Sequence, residues 1–433
     1  MLVVLVMGAI MPVRAFEAKS TATVRGEAYA TASAAAPERF RGEATLSTEA
    51  RAGGDVKLVL AGYLRADTAS WYDRSVRLDV LERREEAPLL SITELYVARR
   101  FSGGGGSLDL RLGKVVHAWG TADGFNPTDN LNARDYTDLL RADKLGAVCA
   151  SLGYQLRDLG IDLVVLPVFQ PSRLPTGDNR FGPELPSRVE NPFFPTGPPE
   201  LAVSYDFTPR KLPAVSWDHV QEALRVSYKL PGSAISASYG RYISDLPAID
   251  VVPGVPDLSR GTVTVGIAER FERQEVLGAD FQTAVGSIGL RGEAARVVFP
   301  DGGDRYGVAV FGLDHRWADL VGEQDLTVIL SVLSQRGLDL DRPAGASLLS
   351  VETPFERGVL LHATWEKSED VSFEVSAFTA FSKGAYQDAT LTWRIRDPLK
   401  LIVKAERLAG PGDTYLGANQ PNSRVWGELK LSF

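Results

Sequence analysis

The segment Ser423-Arg424-Val425-Trp426-Gly427-Glu428-Leu429-Lys430-Leu431-Ser432-Phe433 is the part of this chain that says most about its fold. From Val425 to Phe433 its odd-numbered positions are apolar or glycine, whereas its even-numbered positions are polar except for Trp426. Because successive side chains of a strand point to opposite faces, the segment has one apolar face and one polar face. A strand of a soluble sandwich shares this alternation, but a strand of about 9–11 residues that ends on an aromatic residue is typical of a transmembrane β-barrel.

Similar alternation recurs along the whole sequence and predicts an all-β chain of about eighteen strands. Sixteen strands is the alternative, if a weak segment such as 90–101 or 268–283 does not form a strand of its own. The predicted strands are 21–34, 39–51, 55–68, 90–101, 106–118, 145–157, 159–169, 217–229, 232–243, 268–283, 286–298, 305–318, 324–337, 356–367, 370–382, 386–396, 399–409 and 423–433.

The connections between these segments alternate in length. Every second connection, counted back from the last strand, is a tight turn rich in Gly, Pro, Asp and Ser, as hairpins require. Many of the others are long, namely 69–89, 119–144, 170–216, 244–267, 338–355 and 410–422. Short periplasmic turns and long extracellular loops are typical of a bacterial outer-membrane barrel, and an even strand number then places both termini in the periplasm.

Residues 1–15, MLVVLVMGAIMPVRA, resemble a secretory signal peptide with an A-x-A-like cleavage site before Phe16, although the usual basic start is absent. A short buried strand or helix is the alternative. Residues 16–433 are then expected to form one barrel domain in the outer membrane of a Gram-negative bacterium. That location implies contact with membrane lipid and lipopolysaccharide.

Composition narrows the classes of protein that this chain can belong to. Its 433 residues are 44% hydrophobic, the mean hydropathy is −0.06, and no stretch after residue 15 approaches the roughly 18 apolar residues of a membrane helix. Cys149 is the single cysteine, which excludes a disulfide framework and a cysteine-based metal site. The formal net charge of −8 argues against nucleic acid as a partner. We expect no cofactor.

Backbone polarity supports closure of the predicted sheet. In hydrocarbon every backbone N–H and C=O group needs an internal partner, and a sheet provides this only when it closes. A barrel of sixteen to eighteen strands has a lumen wide enough for water, which suits the polar parity of the segments. We predict that the lumen or its constriction is lined by Arg111, Trp119, Asp123, Asp129, Arg134, Asp135, Arg291, Glu293, Glu374, Arg394, Arg396, Lys400 and Lys404.

The predicted loop 119–144 contains the densest cluster of Asp, Asn, Gly and Pro in the chain. Such residues form tight local turns through bonds between side chain and backbone, which predicts a compact loop. A self-contained loop at the barrel mouth, a constriction inside the pore, and a calcium site formed by Asp123, Asp129 and Asp135 are three interpretations. The spacing of those carboxylates does not match an EF-hand.

The runs LRLGKVVHAWGTADGFNPTDNLNARDYTDLL, LGAVCASLGYQL and IDLVVLPVFQPSRLP resemble a family of poorly characterised, porin-like outer-membrane barrels of Gram-negative bacteria. That family carries a G-[KR]-x4-W-G strand end followed by an N-P-x-D-x-L-x-x-R-D loop. The matching positions here are Gly113, Lys114, Trp119, Gly120, Asn126, Pro127, Asp129, Leu131, Arg134 and Asp135. The resemblance implies a barrel that moves small or hydrophobic molecules, in some cases together with an inner-membrane exporter, and whose terminal Phe433 is recognised by the barrel-assembly machinery.

Three functional hypotheses remain open from the sequence. The first is a passive channel for small solutes, with a weak anion preference because basic residues cluster on the last inward faces, at Arg394, Arg396, Lys400 and Lys404. The second is a transporter of hydrophobic molecules that works with an inner-membrane exporter. The third is a structural barrel within a surface or envelope complex. Homo-oligomers are a further candidate assembly.

An outer-membrane enzyme is the rival class, and we expect the protein not to be one. A hydrolase of this kind needs a Ser–His–acid constellation, and the chain has only four histidines. His117 near Ser151 makes a dyad conceivable. The sequence contains no G-x-S-x-G elbow, H-E-x-x-H pair or glycine-rich phosphate loop.

Overall fold

The computed structural model describes residues 16–29, 40–52, 55–67, 80–81, 83–84, 89–175, 179–182, 185–301, 305–337, 355–381 and 383–433. The predicted leader, 1–15, lies outside the described residues, and so does most of the predicted loops 69–89 and 338–355. Within the described ranges, no helix is both long enough and apolar enough to cross a membrane.

Eighteen strands build the main sheet. They are β1 (Phe16–Tyr29), β2 (Phe40–Ala52), β3 (Val56–Asp67), β4 (Leu90–Gly103), β5 (Gly106–Val115), β8 (Ala147–Leu156), β9 (Leu159–Leu166), β12 (Gln221–Leu230), β13 (Ser233–Ile243), β16 (Arg273–Val285), β17 (Ile288–Val298), β18 (Arg305–Val321), β19 (Gln324–Arg336), β20 (Arg357–Glu366), β21 (Val371–Ala380), β22 (Gly384–Arg396), β23 (Leu399–Ala409) and β24 (Arg424–Ser432).

Six shorter strands and three single helical turns lie in the long connections. The strands are β6 (Arg134–Asp135), β7 (Asp143–Lys144), β10 (Arg188–Glu190), β11 (Glu200–Phe207), β14 (Ala248–Pro253) and β15 (Thr262–Arg270). The helical turns are Trp217–His219, α1 (Tyr415–Ala418) and Gln420–Asn422. Strands β10, β11, β15 and β14 form a separate four-stranded sheet in the connections that follow β9 and β13.

The main sheet is closed and antiparallel. Strand β24 pairs with β1 from Thr21 opposite Ser432 to Tyr29 opposite Arg424. Beyond this pairing, Ser20 N donates to Phe433 O at 2.6 Å and Phe433 N donates to Ser20 O at 2.8 Å. Closure leaves neither β1 nor β24 as an unpaired edge. The prediction of an eighteen-stranded barrel is therefore confirmed, and the sixteen-stranded alternative is wrong because 90–101 and 268–283 each contribute a strand.

The two ends of the barrel differ as the connection lengths predicted. We call the end with the tight turns the turn end, and the opposite end the loop end. The turns at 104–105, 157–158, 231–232, 286–287, 322–323, 367–370 and 397–398 lie at the turn end. Phe16 and Phe433 also lie at the turn end, because β1 begins there with Phe16 and β24 ends there just before Phe433.

The outer face of the barrel is apolar. Exposed outward side chains include Val24, Leu46, Leu60, Leu112, Leu163, Leu224, Ile235, Leu277, Phe311, Val332, Leu361, Val375, Val403 and Leu429. Near the turn end this surface carries exposed aromatic residues, among them Tyr228, Trp317, Trp365 and Trp393. An apolar band bordered by aromatic side chains is the surface that a membrane-spanning barrel presents to lipid.

The inner face differs between its two halves. Toward the turn end it carries polar side chains such as Arg291, Glu374 and Lys400. Toward the loop end the inward-facing positions of β17, β18, β19, β21 and β23 are apolar. The buried residues there are Ala295, Val297, Tyr306, Val308, Val310, Leu333, Phe378, Ala380 and Leu408. The inner face of this half is therefore apolar.

Candidate functional site

The connection between β5 and β8 folds into the barrel, and we call residues 116–146 the lumen loop. Asn132 holds its two ends together at the base. The Asn132 side-chain amide donates to Val115 O at 3.0 Å and to Leu145 O at 2.8 Å, and its oxygen accepts from His117 N at 2.7 Å. Strands β5 and β8 are paired by backbone hydrogen bonds up to Val115 and Ala147. Beyond that point the side chain of Asn132 supplies the hydrogen bonds that hold the two chain segments together.

Glu293 anchors the first limb of the lumen loop halfway along β17. Its carboxylate accepts from Thr121 N at 3.0 Å, Ala122 N at 3.1 Å, Thr128 N at 2.7 Å and Thr128 Oγ1 at 2.8 Å. Gly120 has a φ of +92°, and a Cβ at this position would lie 2.5 Å from the Glu293 carboxylate. A glycine is therefore required where the loop turns toward this wall.

Asp138 anchors the second limb to strands at the other side of the barrel. Arg424 Nη1 on β24 donates to Asp138 Oδ2 at 2.5 Å, and Arg41 Nη1 on β2 donates to the same atom at 2.8 Å. Arg424 also meets Glu27 at 3.1 Å and Glu406 at 2.6 Å. All five side chains are at most 4% exposed, so removing one charge would leave its partners buried without compensation.

A second buried cluster joins the lumen loop to the connection after β9. Asp135 accepts from Arg65 on β3 and from Arg173, each at 3.2 Å. Arg173 is fully buried and also donates to the Tyr63 hydroxyl at 2.9 Å. Arg141 Nη2 lies 2.7 Å from Glu43, which also meets Arg65. Both limbs of the loop are thus fixed by charged groups on different walls.

The surroundings of the lumen loop shift the pKa values of Asp138 and His117. Burial favours a raised pKa for Asp138, but the charges of Arg424 and Arg41 outweigh it and hold that pKa well below its usual range. Burial, together with the charges of Arg111 and Lys144, lowers the pKa of His117 to about 4. His117 Nε2 lies 3.4 Å from Cys149 Sγ, so the imidazole faces the cysteine and not Ser151 as the dyad hypothesis supposed.

A cavity of about 690 Å³, which we call the lumen cavity, lies between the lumen loop and the inner walls of β17 to β23. Aromatic side chains of both surfaces meet along it: the ring centroids of Phe125 and Phe378 are 5.2 Å apart, those of Phe355 and Phe378 4.8 Å, and those of Phe355 and Tyr415 5.7 Å. Leu139, Leu140 and Leu360 are further lining residues. About a third of the lining residues have polar or charged side chains, so the wall is mainly but not wholly apolar, as is usual for a small-molecule site.

Twelve of the thirteen predicted lining residues lie in four places, and Arg291 contacts Asp123 of the lumen loop. Trp119, Asp129, Asp135 and Glu293 are buried where the lumen loop meets the wall, whereas Arg111 is exposed on the inner face of β5. Asp123, Arg134 and Lys404 line the cavity. Glu374, Arg394, Arg396 and Lys400 lie toward the turn end, away from the lumen loop. Sequence reasoning missed the aromatic lining, although Phe378 on the inward parity of β21 was an available signal.

Carboxylates compensate most of the basic groups on which an anion preference was predicted. Arg291 meets Asp123 at 2.7 Å and Asp314 at 3.2 Å. Lys404 meets Asp388 at 3.5 Å and Glu406 at 3.6 Å. At the turn end, Arg394 and Lys400 border a depression of about 310 Å³ whose other charged residues are Glu323, Asp325, Glu366, Glu369 and Asp370. The local charge near these two cations is therefore negative.

The structure does not bring the three carboxylates of the calcium hypothesis together. Asp123 faces Arg291, Asp129 faces Lys144 and Arg134, and Asp135 faces Arg65 and Arg173. In the described part of the chain no cluster of three His, Cys, Asp or Glu side chains is arranged to hold a metal ion. Asp123, Asp129 and Asp135 therefore do not form the predicted calcium site.

Comparisons with known proteins give one family and several solved structures. A family model described as "Protein of unknown function (DUF1302)" matches residues 19–297. A mutant of Rh. blastica porin is 9% identical with a TM-score of 0.40, covering 97% of this chain and 100% of that chain. Pseudomonas aeruginosa OpdK, solved with vanillate, is 10% identical with a TM-score of 0.46, covering 96% of this chain and 98% of that chain. No curated relative matches the sequence.

Proposed function

This chain belongs to the DUF1302 family, and we propose that it is an outer-membrane barrel through which small apolar molecules pass by way of the lumen cavity. The observation that carries this proposal is the aromatic cavity itself. Phe355 and Phe378 are buried and Phe125 is partly buried along this cavity, whereas a water-filled pore is lined mainly by polar side chains. These rings pack against one another at centroid distances of 4.8 to 5.2 Å and line one side of a cavity of about 690 Å³. They give this side an apolar surface on which an apolar solute can bind.

The exterior of the barrel supports placement in the outer membrane. Its exposed Leu, Val and Ile side chains form a continuous apolar surface, and its tight turns lie at one end. We propose that the turn end faces the periplasm, because short turns are periplasmic in bacterial barrels. Both termini then face the periplasm. An inner-membrane exporter is the proposed partner for delivering the apolar molecules to this end.

A passive channel for small solutes is the second candidate. The polar inner face of the turn half favours it, since Arg111, Glu374 and Lys400 present charge to a hydrated lumen. Planar-bilayer recordings under a salt gradient test the associated anion preference. The carboxylates that neighbour the basic groups make a reversal potential near zero or of cation sign the expected result, and an anion-sign potential would restore the original prediction.

Reconstituted liposomes distinguish the two candidates. We expect saturable uptake of an apolar fluorophore such as N-phenyl-naphthylamine, weakened several-fold by Phe378→Ala because the ring at the centre of the cluster is lost. Phe373→Ala is the matched control, since it makes the same change on the outer face of the same strand, β21. Conductance steps without saturable uptake would favour the passive channel. The absence of both activities would favour the envelope-complex alternative.

Folding and assembly involve a further proposed partner. Phe433 is 67% exposed, and only its backbone groups are engaged by Ser20. The ring is therefore available to the barrel-assembly machinery while the backbone completes the seam. A homo-oligomer and an envelope complex are further candidate assemblies, and the absence of enzymatic activity stays a prediction.

A further inference from the structure

Gln335 is a buried amide without a partner on the wall of the lumen cavity. It lies on the inner face of β19 near the loop end and is 5% exposed. Its backbone N–H donates to Glu356 O at 2.7 Å, but neither Nε2 nor Oε1 of its side chain makes a hydrogen bond with any residue that the structure describes. A buried amide that lacks a partner is costly, and such groups require an explanation in a native fold.

Arg141 contributes a second unpartnered polar atom to the same cavity. Its Nη2 and Nε are engaged by Glu43 at 2.7 Å and by Asp143 at 2.6 Å. Its Nη1 is buried and makes no hydrogen bond within the described part of the chain. Because two carboxylates already offset the guanidinium charge, Nη1 presents a donor rather than an uncompensated positive charge. A carbonyl or hydroxyl oxygen suits such a donor.

The other polar groups of the cavity wall are engaged by neighbours. Lys404 lies beside Asp388 and Glu406, and Asp123 lies beside Arg291. His362 contacts the hydroxyls of Ser376 at 3.0 Å and Thr364 at 3.1 Å. A ligand that brought a carboxylate into this cavity would lose its hydration without gaining an uncompensated cation.

Resting on the proposed function, we infer that the cavity selects molecules with an apolar body and an uncharged hydrogen-bonding head. The body packs on Phe125, Phe355 and Phe378, and the head binds the Gln335 carboxamide, which both donates and accepts. Amides, esters and alcohols fit this description, whereas free carboxylates do not. The proposal concerns selection by the head group, because the aromatic contacts alone do not separate an amide from an acid.

The test is competition against N-phenyl-naphthylamine fluorescence in the purified, detergent-solubilised barrel. Naphthamide and naphthoate are the competitors at neutral pH, since they share one ring system and differ in the charge of the head. We expect naphthamide to bind at least about tenfold more tightly than naphthoate, the loss expected when a carboxylate enters without a partner. Gln335→Leu should weaken naphthamide about tenfold while leaving the fluorophore affinity unchanged.

Control variants keep the result interpretable. Gln282→Leu makes the same substitution on the inner face of β16 toward the turn end, away from the cavity, and should leave the preference intact. Gln335→Met retains the length of the side chain and repeats the test if Gln335→Leu does not fold. Equal affinities of the wild-type protein for amide and acid, or a preference that survives both Gln335 variants, would overturn the inference. If the wild-type barrel does not bind the fluorophore at all, the proposed apolar conduit itself fails.

Discussion

Asp138 of the lumen loop accepts a hydrogen bond from Arg424 of the closing strand, with Arg424 Nη1 and Asp138 Oδ2 2.5 Å apart. The same guanidinium meets Glu27 on β1 and Glu406 on β23. Strands β23, β24 and β1 are consecutive in the barrel and include its seam. One buried ionic cluster therefore joins the pairing of β24 with β1, which closes the barrel, to the lumen loop.

Removing the charge of Asp138 should loosen the lumen loop. Asp138→Asn leaves Arg41 and Arg424 with less compensation in a buried site, and we expect a loss of about 3 kcal/mol in the free energy of unfolding. Urea unfolding in lipid vesicles measures this loss, and bilayer recordings should show larger and noisier conductance. Glu49→Gln is the control, because the side chains of the Glu49–Lys57 pair are half-buried at the turn end and a pair this accessible to water contributes little. Identical behaviour of the two variants would contradict an anchoring role for Asp138.

Gly120 should not tolerate a side chain. Gly120→Ala places a methyl group against the Glu293 carboxylate in a backbone conformation that favours glycine. We expect the bonds from Glu293 to residues 121–128 to be disrupted, with an increase in conductance and weaker binding of apolar fluorophores. Gly104→Ala also changes a glycine with positive φ, but nothing lies within 4 Å of its added Cβ. Greater damage from the Gly104 variant than from the Gly120 variant would contradict the close-packing argument.

His117 should make stability depend on pH between its unfolded and folded pKa values. Burial lowers the folded pKa from 6.5 to about 4, so the unfolded chain takes up the proton first. Neutral His117 makes its full contribution to the free energy of unfolding above the unfolded pKa. This contribution is lost as the pH falls toward the folded pKa, at about 1.4 kcal/mol per pH unit. Unfolding of His117→Gln should lack this component between these two pH values. His219→Gln, in a loop outside the barrel, should retain the wild-type dependence.

The terminal ring should matter for assembly more than for the finished barrel. Phe433→Ala keeps the backbone bonds with Ser20 and removes only an exposed side chain. We expect several-fold less folded protein in outer-membrane fractions, together with unchanged unfolding of the protein that does assemble. Heat-modifiable migration on gels measures the folded fraction. Phe381→Ala, which removes another exposed ring near the opposite end, is the control, and equal yields from both variants would argue against recognition of Phe433.

The eighteen strands could be predicted from the sequence because strand structure has a period of two and hairpin turns have a local chemistry. The segments around β4 and β16 have the weakest alternation, and they form strands because their neighbours supply pairing on both sides. Outward residues such as Leu429 and Val375 likewise followed from alternation alone. Closure followed from the need to pair every backbone group in lipid.

The lumen could not be predicted in the same way, since its contacts join residues far apart in the chain. Asp138 and Arg424 are separated by 286 positions, and no local pattern indicates which carboxylate compensates which cation. The inward parity of β21 holds both Glu374 and Phe378, so alternation alone does not separate a polar wall from an apolar cavity. Local alternation and backbone pairing thus predict the barrel and its two faces. The filling of the lumen is visible only in the folded protein, because the path of the lumen loop depends on pairing between buried charges on different walls.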